Sequence, residues 1–304
     1  MKGFLHELHK NKILFLMLLP AVFYFILFSY IPMAGSIVAF KRFNYDQGIF
    51  QSPWNGFENF RFFFISGQAW KVTRNTFLYN VMFMITGNIL QIILAIFLTE
   101  IHSKLFRKIS QTLMFLPYFI SWVVAGTFAY NLFNYEFGTI NALFRFLGIQ
   151  PVDVYSNPAA WKYILLFFNS WKWAGYGSVV YLAAILGIDP ELYEAAQIDG
   201  AGVLSKIRRI TLPLLTPTVI ILVLLNIGRI FRGDFDMFFQ LVGDSGNLFN
   251  ATNVIDTYVF RALMRNSDFG MASAAAFYQS VLCFGTIFLV NFVIRRINRD
   301  YALF

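Results

Sequence analysis

Charge along this chain is confined to short islands between long apolar runs. Five stretches contain no Asp, Glu, Lys or Arg at all: residues 13–40, 75–99, 109–135, 210–228 and 269–294. A sixth, 163–188, is interrupted only by Lys172. Each matches or exceeds the roughly 20 helical residues that cross about 30 Å of hydrocarbon. The pattern predicts an all-α integral membrane protein with six transmembrane helices, over residues 13–33, 75–99, 109–135, 165–188, 211–229 and 269–294. All six belong to one domain covering residues 1–304. The first run is too long for the core of a secretory signal and no small-residue cleavage site follows it, so it is expected to stay in the mature chain.

Composition agrees with this picture. Hydrophobic residues make up 58% and charged residues 13%, against about 45–50% and about 25% in ordinary globular proteins. The single Cys283 lies inside the last apolar run, which excludes an intrachain disulfide and favours a packing role. The net charge of +8 is scattered over helix ends rather than gathered on one face, which argues against nucleic acid and for membrane orientation. With both termini cytoplasmic, the inner segments carry 12 Lys or Arg in 52 residues and the outer segments 11 in 101. The positive-inside rule therefore places both termini in the cytoplasm. The margin is narrowed by Lys41, Arg42, Lys71 and Arg74 in the first outer loop. The outer loops, such as NYDQGIFQSPWNGFENF (44–60) and GDSGNLFNATN (243–253), offer aromatic and turn-rich surfaces to an extracellular partner.

The longest inner loop holds EAAQIDGAG, residues 194–202. Asp189 suits an N-cap, Pro190 the first helical position and Glu191 the positive end of the helix dipole. Gly200 supplies the left-handed residue that stops the helix. The loop is therefore expected to form a helix of about three turns over residues 189–200. Pro213 and Pro217 place the start of the fifth span, or a bend, near residue 213. A helix tied at both ends to transmembrane segments can pass motion from a cytoplasmic partner into the membrane, or it can simply cover the inner ends of the bundle.

EAAQIDGAGVLSKIRRITLPLLTP resembles the signature loop of the membrane subunits of binding-protein-dependent ATP-binding-cassette (ABC) importers. That pattern is EAA, two residues, DGA, a hydrophobic-basic stretch and a closing I-x-LP-x-x-x-P. Glu194, Ala195, Ala196, Asp199, Gly200, Ala201, Ile210, Leu212, Pro213 and Pro217 match it, and Ile207 stands where the family usually has Phe. FSYIPMAGSIVAFKRFN, VIDTYVFRAL and the closing YALF resemble the branch found with polysaccharide and complex-oligosaccharide uptake in Gram-positive bacteria. The resemblance implies the type I (MetI-like) bundle and a multi-pass subunit in the bacterial plasma membrane. It also implies four kinds of partner: a second homologous permease, two ATPase subunits, an extracellular solute-binding lipoprotein and an oligosaccharide. Glu194 would meet basic residues of the ATPase, with Ala195, Ala196, Asp199, Gly200, Ala201, Ile207 and Pro213 shaping the coupling loop. ATP and Mg would be held by that ATPase, and this chain would bind no cofactor.

The residues themselves offer no catalytic centre. The chain has no G-x-x-x-x-G-K-[ST] loop for a nucleotide, and His6, His9 and His102 have no metal-ligand spacing. A non-enzymatic subunit that provides a pathway fits best. Sugar sites combine aromatic faces with directional polar groups, and NSWKWAGYG supplies both through Asn169, Trp171, Lys172, Trp173 and Tyr176. Arg229, placed at the same expected depth as Lys172, and the amides Asn226 and Gln91 complete the candidates. Two readings stand side by side. The cations and tryptophans form an interfacial belt or pair with Asp234 and Asp236, while the amides bridge helices; or they rim a vestibule for sugar, a basic one favouring carboxylate or sulfate groups. A secondary transporter would carry ionisable groups at the midplane and a membrane enzyme would cluster acids or histidines at one interface; neither pattern is present. A non-transport scaffold is the remaining alternative.

Overall fold

The computed structural model describes Glu7 and residues 10–297. His6, His9 and the closing YALF lie outside these residues. Among the described residues the chain is almost wholly helical, with a single isolated bridge between Lys41 and Trp54 in place of any strand. It divides into two compact units, residues 1–66 with 259–277 and residues 67–258 with 278–304.

In the first unit, α1 (Lys12–Phe25) continues through a π-helical turn, Ile26–Tyr30, and a 3-10 segment, Ala34–Phe40. The loop that follows is built around Lys41. Its ammonium is buried and donates to the carbonyls of Ile49 and Phe50 at 3.1 and 2.6 Å. One of the cations that narrowed the charge asymmetry is therefore a structural pin for its own loop. α2 (Glu58–Ile65) is fixed by Asn59, whose amide donates to the carbonyls of Ala39 and Lys41. Phe40, Phe57, Phe60 and Phe277 pack edge-on or tilted around that contact.

The second unit contains α3 (Gln68–Glu100), α4 (Lys104–Phe119), α5 (Trp122–Phe133), α6 (Thr139–Phe146) and α7 (Pro158–Leu186). It continues with α8 (Pro190–Ile198), α9 (Leu212–Ile227) and α10 (Phe235–Val242). Two further helices, α11 (Ile255–Met264) and α12 (Phe269–Ile297), follow in the chain. Two of the expected spans take a different form. The third, 109–135, is not one straight rod: α4 and α5 meet at an angle of 92°. The fifth starts at Val203 rather than near Pro213, within one helix running to Ile227.

The second difference has a backbone cause. A proline inside a helix lacks a donor and crowds the carbonyl four residues earlier. Here a π-helical turn, Ile207–Thr211, widens the helix just before Pro213, so the chain passes the proline without stopping. The same device, Ile26–Tyr30, precedes Pro32.

Among the described residues, four helices are long and apolar enough to cross a membrane alone, and the bent pair adds a fifth candidate. α7, with 29 residues, has the length but carries Lys162 and Lys172 and is less apolar. It is also the helix against which the second unit is built, with Trp161, Leu165, Phe168, Tyr181 and Ile185 all buried. A helix surrounded by protein faces little lipid and tolerates polar groups that a peripheral one does not. Two apolar cores lie along it. One gathers Tyr79, Trp122, Trp161, Phe168, Phe238 and Leu241, the other Ala95, Leu98, Tyr181, Leu182, Ile185 and Leu215.

Candidate functional site

α8 is made by the residues the sequence assigned to it. The Asp189 carboxylate accepts from the Glu191 amide at 3.0 Å, Pro190 opens the first turn, and Gly200 stops the helix at φ +77°. The Ala201 amide reaches back to the Ala196 carbonyl at 2.8 Å, the six-residue closure that accompanies a left-handed glycine. Glu194, Ala195, Asp199 and Gly200 are exposed, Ala196 and Ala201 partly so. Ile198 is 87% exposed and Leu204 78%, so the loop that carries Glu194 also presents uncovered apolar side chains. Among the described residues the Glu194 carboxylate has no hydrogen-bond or ion-pair partner. Ile207 lies in the π-helical turn and Pro213 just beyond it. One contact was not legible in the sequence: the Tyr193 hydroxyl meets the buried Thr211 hydroxyl at 3.0 Å, bracing α8 against the helix that leads into α9.

Between the two apolar cores, at the level of residues 80–91 on α3 and 169–174 on α7, lies a cavity of about 480 Å³. α3 contributes Asn80, Asn88 and Gln91, α7 contributes Asn169, Ser170 and Trp173, the end of α9 contributes Asn226 and the turn after it Arg229. Arg232, Gly233 and Asp234 close it. The structure thus gathers Asn169, Trp173, Asn226, Arg229 and Gln91 from the sequence candidates into one wall. Asn80, Asn88 and Arg232 were missed. The signal for the first two was present, since Asn80, Met84, Asn88 and Gln91 recur at helical spacing on one face of an otherwise apolar run. Arg232 lies in a turn, where no periodicity applies.

The turn is held from several sides. The Asn80 amide donates to the carbonyls of Thr76, Ile230 and Arg232. Asp256 accepts from the Gly233 amide at 2.6 Å and from Gln279 at 2.9 Å, and Gln279 also donates to the Phe231 carbonyl. Asp234 caps α10 through the Met237 amide at 3.1 Å and accepts from the Trp122 indole at 3.0 Å. Burial pushes the carboxyls of Asp234 and Asp256 up from their ordinary value, against the hydrogen bonds that hold them down.

The remaining sequence candidates do not line the cavity. Lys172 is 7% exposed, and its ammonium donates to the carbonyls of Tyr118 and Ile120 and sits 5.0 Å from the Trp122 ring centroid. These carbonyls end α4, so the charge occupies the negative end of a helix at the bend. Trp171 packs on the core around Phe168. Tyr176 stacks on Tyr118, rings 4.3 Å apart and 12° from parallel. Gln91 bridges to the Trp173 carbonyl at 3.4 Å while still facing the cavity, and Gly177 leaves the space its side chain occupies.

Residues 87–299 match the family described as the binding-protein-dependent transport system inner membrane component. The chain belongs to that family. This permease is 31% identical over 304 residues, 98% of its own length and 92% of the relative's, to the polygalacturonan/rhamnogalacturonan transport system permease protein YteP of Bacillus subtilis strain 168. It is 28% identical to Protein LplB of the same organism, covering 96% and 92% of the two chains. Its fold superposes on a chain from the crystal structure of a bacterial ABC transporter involved in the import of the acidic polysaccharide alginate. The TM-score is 0.87 at 32% identity, covering 97% of this chain and 99% of that one. A second crystal structure, of the alginate transporter in complex with an alginate pentasaccharide-bound periplasmic protein, gives 0.85 at 32% identity, over 96% and 97%. The permease is a membrane subunit of an ABC importer.

Proposed function

We propose that this permease forms the translocation path of an ATP-driven oligosaccharide importer together with a second, homologous permease. It crosses the plasma membrane six times with both termini cytoplasmic, through the helices beginning at Lys12, Gln68, Lys104, Pro158, Val203 and Phe269. The chain itself catalyses no reaction. ATP and Mg belong to two ATPase subunits beneath α8, and the sugar arrives on an extracellular solute-binding lipoprotein. The relatives named for polygalacturonan, rhamnogalacturonan and alginate support the substrate class. Asn169, Trp173, Asn226 and Arg229 contribute to the path. Lys172, Trp171 and Tyr176 support it by holding the bend and the core.

The observation that carries this reading is the exposed, unpaired Glu194 on a capped helix whose two chain ends run into α7 and α9, both of which wall the cavity. A rigid helix so connected transmits displacement. Closure of the ATPase dimer on ATP would move α8 and turn the spans outward, and hydrolysis would return them.

The complete importer, reconstituted in vesicles, tests the reading. Glu194→Lys should lower ATP-driven oligosaccharide uptake at least about tenfold, the worth of one charge-assisted contact of roughly 1.5–3 kcal/mol, while the permease still inserts. Undiminished uptake, or uptake driven by a proton gradient without ATP, would refute it.

A further inference from the structure

We infer that the turn Arg229–Asp234 is a carboxylate-recognition site, and that the oligosaccharide passing this permease is therefore acidic, a chain carrying uronate groups. This rests on the importer reading and narrows it. Neither the Arg229 nor the Arg232 guanidinium makes a hydrogen bond or ion pair among the described residues, and both are exposed at the cavity. The acids nearby are committed elsewhere. Asp234 accepts from the Trp122 indole and the Met237 amide, and Asp256 from the Gly233 amide and the Gln279 side chain. The field of Asp256 reaches Arg232, but no hydrogen bond joins them. The cavity wall thus keeps two positive charges against the one of Asp234.

The backbone carrying these cations is fixed before any ligand arrives. Asn80, Asp256 and Gln279 anchor four successive residues, Ile230, Phe231, Arg232 and Gly233, by side-chain hydrogen bonds. A β-carbon at Gly233 would lie 2.9 Å from the Asp256 Oδ2 and 3.0 Å from the Val254 Cγ2, so a larger residue would push on the carboxylate that anchors the turn. A planar guanidinium matches a carboxylate through two parallel hydrogen bonds, and a pre-positioned fork loses less entropy in making them. Around it, Asn169, Asn226, Gln91 and Ser170 offer partners for hydroxyls and Trp173 a face for a pyranose ring. A neutral sugar could offer the guanidiniums hydroxyl oxygens as acceptors, but no charge to pair with and no two-oxygen match to the fork.

The test uses the complete importer in phosphatidylcholine vesicles, with oligogalacturonates and oligoalginates as probes beside their methyl esters. Arg229→Gln or Arg232→Gln should each raise the KM for the free acids about tenfold, raise that for the esters several-fold less and flatten the salt dependence of acid uptake. The Lys substitution at either position should recover part of the effect, which separates loss of charge from loss of fold. The binding protein is common to all arms, so its own preference cancels between variant and wild type. Unchanged KM for the acids, or equal damage to acids and esters, would overturn the inference while leaving the importer reading in place. Uptake of neither probe class by the wild type would likewise overturn the acidic assignment, the importer reading standing or falling on the Glu194 test.

Discussion

Replacing Lys172 by Met keeps the length of the side chain and removes its charge, which separates a structural cation from one in the sugar path. The ammonium donates to the Tyr118 carbonyl at 3.1 Å and to that of Ile120, and lies 5.0 Å from the Trp122 ring centroid. Two hydrogen bonds to a charged group contribute roughly 1.5–3 kcal/mol each, and a cation over an indole about 0.5–2 kcal/mol. Against this stands the several kcal/mol that it costs to keep a 7%-exposed ammonium out of water. The balance is about 1–3 kcal/mol of destabilisation, most of it from two helix-terminal carbonyls left without a donor. For a chain of this size that corresponds to a fall of roughly 2–5 °C in melting temperature.

The purified importer in detergent, followed by intrinsic fluorescence on heating, reads this directly. Uptake should fall for acidic and esterified oligosaccharides by the same factor, because the damage is to the 92° bend between α4 and α5 rather than to a sugar contact. A variant melting within about 1 °C of the wild type, or one that loses only acidic sugars, would refute the assignment and return Lys172 to the path.

Two further outcomes follow from the same geometry. Tyr193→Phe removes the bond to Thr211; it should cost about 1 kcal/mol of stability and lower the sugar carried per ATP hydrolysed without changing the KM for sugar, checked by parallel uptake and phosphate-release assays. Asp256 titrates above its ordinary range in the folded chain. The native state therefore keeps a proton that the unfolded chain has released, and stability falls as pH rises from about 4. Asp256→Asn should flatten that acid-side slope in a melting-temperature series, and an unaltered slope would show that another group controls it.

What could be read from the sequence divides along physical lines. α8 was legible to the residue because its cap, first-turn proline and stop glycine are local chemistry, each acting within a few positions of chain. The apolar runs gave every long helix for the same reason. The bend at residue 120 was not legible. Ile120 and Ser121 lie within an unbroken apolar stretch, and what makes the bend tolerable is an ammonium 52 residues further on. For Lys172 the structural and the path readings stood side by side, because hydropathy reports how costly a charge is, not which way it points. The arginine turn was half found. Arg229 stood out beside an apolar run, whereas Arg232 acquires its meaning only from Asn80, Asp256 and Gln279, which arrive from three other helices.

The cavity and α8 are joined by covalent chain rather than by proximity. From Trp173 to the end of α7 at Leu186 is about 20 Å at 1.5 Å per helical residue, with one glycine at 187 before the turn into α8. On the other side the helix from Val203 reaches Asn226 without interruption, its proline absorbed by the π-helical turn. The Tyr193–Thr211 contact closes the triangle between these two legs near its apex. A displacement of α8 would then be passed in part to the two helices that present Asn169, Trp173 and Asn226 to the cavity. The turn bearing Arg229 and Arg232 follows directly on α9 but is anchored to α3, α11 and α12. Movement of α9 relative to those anchors would alter the spacing between the guanidiniums and the amides opposite. On the proposed reading, a site composed in this way would hold its ligand in one position of α8 and loosen it in the other, which is the differential contact that a transport cycle requires.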